Sequence, residues 1–344
     1  MAEGLGLLER LERGPVICAE GYLFEFERRG YLQAGAFVPE VVLEHPEMVA
    51  QLHRDFVHAG SDVVEAFTYY AHREKLRVIG KEDLLEEINR VALAAAKEVA
   101  EETGTLLAGN ISNTNVFLPD EPGSRDTVRA MFEEQVGWAA DAGVDFIIAE
   151  TISWAEEALI ALEAIKSTGL PAVVTLAAHS RPEMLDGPSP AEACKRLEDA
   201  GADVVGLNCS RGPAMMLPLL RDIRKAVKGH VAALPVPYRT TEQEPSFHSL
   251  TDPDLPGGMA FPTGLDAFTC NRHEIAEFGR AAYELGVHYL GVCCGAGPHH
   301  IRSLAEALGR TPPASRYSTD MSKHAYFGTD PAISQEYREF AEKL

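Results

Sequence analysis

Ala200-Gly-Ala-Asp-Val-Val-Gly-Leu-Asn-Cys-Ser210 reads in order as a helix stop, an apolar strand and a reactive strand end. Gly201 supplies the left-handed residue that ends a helix, and Asp203 leads straight into the strand. The same Ala-Gly-X-Asp signature recurs at Ala59-Gly60-Ser61-Asp62 and Ala142-Gly143-Val144-Asp145. Outward from these points, β-type runs alternate with helical patterns for most of the chain. The expected strands are Val16–Glu20, Asp62–Tyr70, Thr105–Ile111, Val144–Glu150, Ala172–Ala177, Asp203–Cys209, His230–Val236 and His288–Cys293. They are apolar almost throughout, as parallel strands covered by helices are. Leu84–Glu102 has helical spacing and stops at Gly104. Ser153 with Glu156 reads as a capping box for a helix stopping near Gly169, and Asn271 with Glu274 as one for Ile275–Leu285. Eight strands alternating with helices predict an α/β fold, a (β/α)8 TIM barrel over residues 1–312 with a C-terminal arm over 313–344. The segment Pro237–Thr269 is long and rich in Pro, Gly, Thr and Asp, which fits a lid or a wall of a site.

The chain has 344 residues, 46% of them hydrophobic, which suffices for one such barrel with a large core. Its formal charge is −21, from 31 Lys and Arg against 52 Asp and Glu, which argues against nucleic acid and anionic membranes as partners. The apolar runs are strand-sized, so no membrane span is expected. The N-terminal stretch lacks the cationic and apolar regions of a signal peptide. Six scattered cysteines read as metal-binding, catalytic or buried thiols of a cytoplasmic protein rather than a disulfide framework.

Catalytic groups of such barrels gather at the C-terminal strand ends. Here those ends carry Glu20, Glu65 with Tyr70, Asn110, Glu150, Cys209, and Cys293 with Cys294. Three thiols from the sixth and eighth strands point to one soft-metal site, most simply Zn2+ with an open position for a substrate thiol. Consecutive cysteines reach one metal only if the backbone turns, which Gly295 and Gly297 permit. The competing reading is that these are small buried residues, as Cys18, Cys194 and Cys270 are taken to be. His299 and His300 follow Pro298 at a helix start and read as capping or surface residues. Glu20 and Glu150 end apolar strands, where they are either solvated acids or anchors for an ammonium group. Tyr22, Phe24, Phe37, Phe67, Tyr69 and Tyr70 bring aromatic faces near the first two strand ends, as core or as a cation–π wall.

These residues resemble the homocysteine S-methyltransferase family, most closely its betaine–homocysteine branch. The resemblance runs through Gly21-Tyr-Leu-Phe-Glu-Phe-Glu-Arg-Arg-Gly-Tyr31, His45-Pro-Glu-Met-Val-Ala-Gln-Leu-His53, Phe67-Thr-Tyr-Tyr-Ala71, Gly206-Leu-Asn-Cys209 and Gly291-Val-Cys-Cys-Gly295. It implies zinc on Cys209, Cys293 and Cys294, with homocysteine sulfur at the open position and Tyr70 filling that position before substrate arrives. It further implies that Glu150 holds the homocysteine amino group and that the Gly21 backbone approaches the amino acid. Met321-Ser-Lys-His-Ala-Tyr-Phe-Gly328 resembles part of the branch's dimerisation arm, implying a homo-oligomer.

The chain departs from the branch at four places that bear on the donor. The acidic turn reads Ala19-Glu20-Gly21, shifting the carboxylate by one residue; Phe37 stands for tryptophan, Thr151 for tyrosine and Glu65 for a neutral amide. The expected substrate-binding set is Glu20, Gly21, Phe37, Glu65, Phe67, Tyr69, Tyr70 and Glu150, with Tyr70 and Glu150 in catalytic roles. The expected reaction is methyl transfer from glycine betaine to homocysteine, giving methionine and dimethylglycine. The alternatives are a sulfonium donor (S-methylmethionine or dimethylsulfoniopropionate), a subunit serving a separate corrinoid protein, and a non-catalytic zinc or redox-sensing module.

Overall fold

Each of the eight expected strands forms, and they close in chain order into a parallel barrel: β1 Val16–Ala19, β2 Val63–Glu65, β3 Leu106–Ser112, β4 Phe146–Ile152, β5 Ala172–Leu176, β6 Val204–Asn208, β7 His230–Leu234 and β8 Tyr289–Val292. The computed structural model describes residues 4–343; residues 1–3 and 344, the outer ends of the expected barrel and arm, lie outside that range. β1 pairs with β8 through Val16–Tyr289 to Ala19–Val292, which closes the ring. All strand residues are buried except His230, because helices cover the barrel outside and side chains fill it inside. No helix among the described residues is long and apolar enough to cross a membrane.

The Ala-Gly-X-Asp signature has a second function beyond stopping helices. Gly60, Gly143 and Gly201 all adopt positive φ, ending the helices before them. Each following aspartate accepts a backbone N–H from the strand one place earlier in the ring. Asp62 takes Ile17 N at 2.7 Å, Asp145 takes Leu107 N at 2.8 Å and Asp203 takes Ala172 N at 2.8 Å. The motif therefore sets the strand register at the bottom of the barrel.

Two local expectations need correction. The second strand ends at Glu65 rather than Tyr70, because the chain turns at Ala66–Ala71 and Tyr70 sits at φ 61°. Glu65, which falls mid-way along the expected strand Asp62–Tyr70, is thus the last residue of the strand that forms, and it points among buried groups. Ser153 does not cap the helix Ala155–Lys166, whose first N–H groups donate instead to Asp186 at 3.0 and 2.9 Å. The Asn271 and Glu274 capping box forms as expected. His300 accepts a hydrogen bond from Gly297 N at 3.1 Å, which is a capping role.

Candidate active site

The three strand-end thiols converge. Cys209 follows β6 and Cys293 with Cys294 follow β8, and their sulfurs lie within 4.8 Å of one another, Cys293 and Cys294 being 3.8 Å apart. A tetrahedral zinc with Zn–S bonds of about 2.3 Å needs sulfurs roughly 3.8 Å apart, so the donor set fits the ion in chemistry and spacing. The turn that brings both members of the pair inward runs through Gly295, at φ 93°. A Cβ there would stand 2.1 Å from the Tyr238 hydroxyl. Hydrogen bonds from Cys293 and Cys294 hold the Cys209 thiol well below its usual range. Burial pushes Cys293 up, and Cys294 is raised chiefly by its bond to Cys209. The cluster loses its first proton readily and resists losing more without a cation.

Beside the thiols lies a knot of three buried carboxyls, Glu20, Glu65 and Glu150, each at most 6% exposed. They are not solvated strand-end acids. Asn110 Nδ2 donates to Glu65 and, at 2.6 Å, to Glu150. Asn208 Nδ2 donates to Glu150 at 2.8 Å and Glu20 at 3.2 Å, and lies 3.8 Å from Cys293 Sγ. One Glu20 oxygen has no partner. Cys18 Sγ donates to Glu65 at 3.6 Å, so this thiol belongs to the knot rather than to plain packing. Desolvation raises all three carboxyls, Glu150 to about 7, with mutual repulsion adding to Glu20 and Glu65. A small recess beside Tyr69 and Cys294 opens onto all three acids. Such a recess suits an ammonium group.

Above the thiols is a cavity of about 500 Å³, reached by Cys209 and Cys294. Four phenylalanines form one wall: Phe24 packs on Phe37 and Phe247 at 5.8 and 6.0 Å, and Phe247 on Phe261 at 5.3 Å. Tyr69 and Tyr70, with rings 4.3 Å apart and tilted by 38°, also line it. Phe247, His248 and Phe261 come from the long segment after β7, which is therefore a wall of the cavity. Among the described residues, six non-glycine residues have φ between 53° and 64°, and five of them line this cavity: Phe37, Tyr70, Asn115, Thr151 and Cys209. Each costs about 1–3 kcal/mol of backbone strain. That concentration marks the cavity as the place where the fold has been bent to aim side chains.

The family model for homocysteine S-methyltransferase matches residues 21–308. The chain belongs to the homocysteine S-methyltransferase family. It is 37% identical to the betaine–homocysteine S-methyltransferase 1 of Mus musculus, covering 94% of this chain and 79% of that one. With the S-methylmethionine–homocysteine S-methyltransferase of Pongo abelii it shares 35%, covering 98% and 92%. The metallated homocysteine methyltransferase MmuM of Escherichia coli has the same fold, with a TM-score of 0.68 and 18% identity over 87% of this chain and 98% of that one.

In this family member the residues expected from sequence fall into three groups. Cys209, Cys293 and Cys294 meet at the cavity floor, while Glu20, Glu65 and Glu150 meet beside them. Phe37, Tyr69 and Tyr70 line the cavity. Phe67 does not; it stacks on Phe26 at 5.5 Å and reaches only the small recess. Tyr22 packs on Phe56 and bonds to His53, and like Phe67 it reaches the small recess but not the cavity. Gly21 sits where a Cβ would stand 2.2 Å from Ala296 O, holding the first-strand turn against the Cys294 turn. Sequence reasoning missed Asn208, which joins acids to thiols, and His179 with His248. Asn208 directly precedes Cys209, a signal that was available. His179 sits in a loop and His248 in a single 3-10 turn, Phe247–Ser249, both too short to show a period.

Proposed function

We propose that this enzyme transfers a methyl group from glycine betaine to homocysteine, giving methionine and dimethylglycine, with zinc held by Cys209, Cys293 and Cys294. The observation that carries the reading is the meeting of three thiols with a buried acid knot on one side and an aromatic cavity on the other. Zinc, when bound, supplies the positive charge that keeps the substrate thiol deprotonated at neutral pH. Glu150 and Glu20 hold the homocysteine ammonium, and that cation offsets the repulsion among the three buried carboxyls. Tyr70 guards the open position before homocysteine arrives; its support is that it lines the cavity with Cys209 and Cys294. Phe24, Phe37, Phe247 and Phe261 take the trimethylammonium head by cation–π attraction and exclude water. The sulfur lone pair forms the new S–CH3 bond as the C–N bond breaks, and that electron pair stays on nitrogen, so dimethylglycine leaves as a free tertiary amine and takes back from solvent the proton that the substrate thiol released. No further acid or base is required, so alignment by the two walls supplies the remaining catalysis. The free thiols fit a reducing cytoplasm.

The test is transfer of label from methyl-13C glycine betaine into methionine, in competition with S-methylmethionine and dimethylsulfoniopropionate. Labelled methionine as the main product supports the reading. Methionine formed only from the sulfonium donors would overturn the donor assignment and keep the homocysteine site.

A further inference from the structure

Lys75 is a charged cavity residue left without a role by the methyl-transfer reading. It is carried by the short helix Arg73–Val78, and its ammonium stands 4.0 Å from the centroid of the Tyr70 ring. The neighbouring acid Glu74 is taken by Arg77 at 2.7 Å, and Arg73 beside it pairs with Glu134. Among the described residues no carboxylate pairs with Lys75, although it is partly withdrawn from water. The one acid lining the cavity, Glu157, is occupied by Thr114 N at 2.8 Å and Thr114 Oγ1 at 2.6 Å. Both cavity histidines pair with serine hydroxyls, His179 with Ser153 at 2.7 Å and Ser210 at 3.1 Å and His248 with Ser246 at 3.1 Å, so neither is a fixed charge. Lys75 is therefore the cavity's one fixed positive charge among the described residues. A half-desolvated ammonium without a counter-ion is stabilised by an incoming anion.

The neighbours of Lys75 say which anion. Lys75 shares one cavity with Cys209 and Cys294, and it stands over the ring of Tyr70, which lies 4.3 Å from that of Tyr69. The recess that holds the three acids does not include Lys75. An amino acid anchored there by its ammonium leaves Lys75 to the other substrate. We propose that Lys75 binds the carboxylate of the methyl donor and restricts the enzyme to zwitterionic onium donors; this rests on the methyl-transfer reading above. The cationic head then points at the thiols and the anionic tail at Lys75, which fixes the donor end to end.

The experiment is calorimetric titration of the zinc-loaded full chain, with homoserine (which lacks the reacting thiol) in place of homocysteine so that no methyl is transferred, using glycine betaine and tetramethylammonium. Wild type, Lys75→Met and Lys75→Arg are compared, with circular dichroism and zinc content as checks on folding. Wild type binds glycine betaine more tightly than tetramethylammonium. In Lys75→Met that preference falls by about ten- to a hundredfold, and Lys75→Arg restores most of it. An unchanged preference in Lys75→Met overturns the proposal. So does wild type binding both ligands equally or neither. Methionine formation by the same wild-type preparation reports separately on the methyl-transfer reading.

Discussion

At the scale of single residues, Glu150 is the group whose burial makes the sharpest demand. Desolvation raises it from 4.5 to about 7. Between those values the folded chain holds a proton that the unfolded chain has released, so folding stability falls as pH rises across that window and levels off above it. The buried His53, His72 and His300, lowered by burial to about 3, 4 and 4, titrate in the opposite sense. Comparing wild type with Glu150→Gln cancels them. The metal-free Glu150→Gln protein is expected to be more stable than wild type at pH 8, by up to about 3 kcal/mol. That gain should shrink steadily toward pH 5 and vanish below about pH 4.5 in chemical denaturation, and a gain constant with pH would refute the assignment. For catalysis, Glu150→Ala should raise the KM for homocysteine about ten- to a hundredfold while zinc content stays unchanged. The thiols were legible in the sequence because each follows an apolar strand and glycines surround the pair. Glu65 was legible only as an acid, since nothing in Asp62–Tyr70 signals that the strand stops after three residues.

At the scale of elements, the barrel was readable because parallel strands announce themselves by apolar runs and their helices by glycine stops. What sequence patterns did not reveal was the role of the aspartates. Asp62, Asp145 and Asp203 pin a neighbouring strand's N–H across 45, 38 and 31 residues of chain, contacts that no local pattern encodes. Asp145→Ala should cost about 1–2 kcal/mol in equilibrium unfolding, with methyl transfer unaffected because the bond lies at the barrel bottom. A loss well outside that range would mean the aspartate is not a register pin. The false capping box at Ser153 has the same cause: Asp186, 31 and 30 residues from the amides it accepts, takes the N-terminal donors first. The site's second aromatic pair, Phe247 and Phe261, was hidden for a related reason, since an irregular loop carries no period to say which side chains face inward.

At the scale of the molecule, the barrel is covered on its outside and the segment after Pro313 is not. Phe327 is 65% and Tyr337 53% exposed, with Phe340 and Tyr326 packed together beside them at 5.4 Å. We expect this arm to join copies of the chain. Removing residues 319–344 should shift sedimentation toward the monomer and leave the barrel folded, whereas an unchanged sedimentation profile would rule the arm out as the contact. The account as a whole rests on one claim, that Cys209, Cys293 and Cys294 hold a single zinc on which methyl transfer depends. The direct measurement is zinc per chain together with methionine formed from homocysteine and glycine betaine, in wild type and Cys209→Ala. The account predicts about one zinc per chain in wild type and loss of both metal and turnover in the variant. Wild-type turnover persisting in Cys209→Ala, or a wild-type chain free of zinc under reducing, metal-replete conditions, would contradict it.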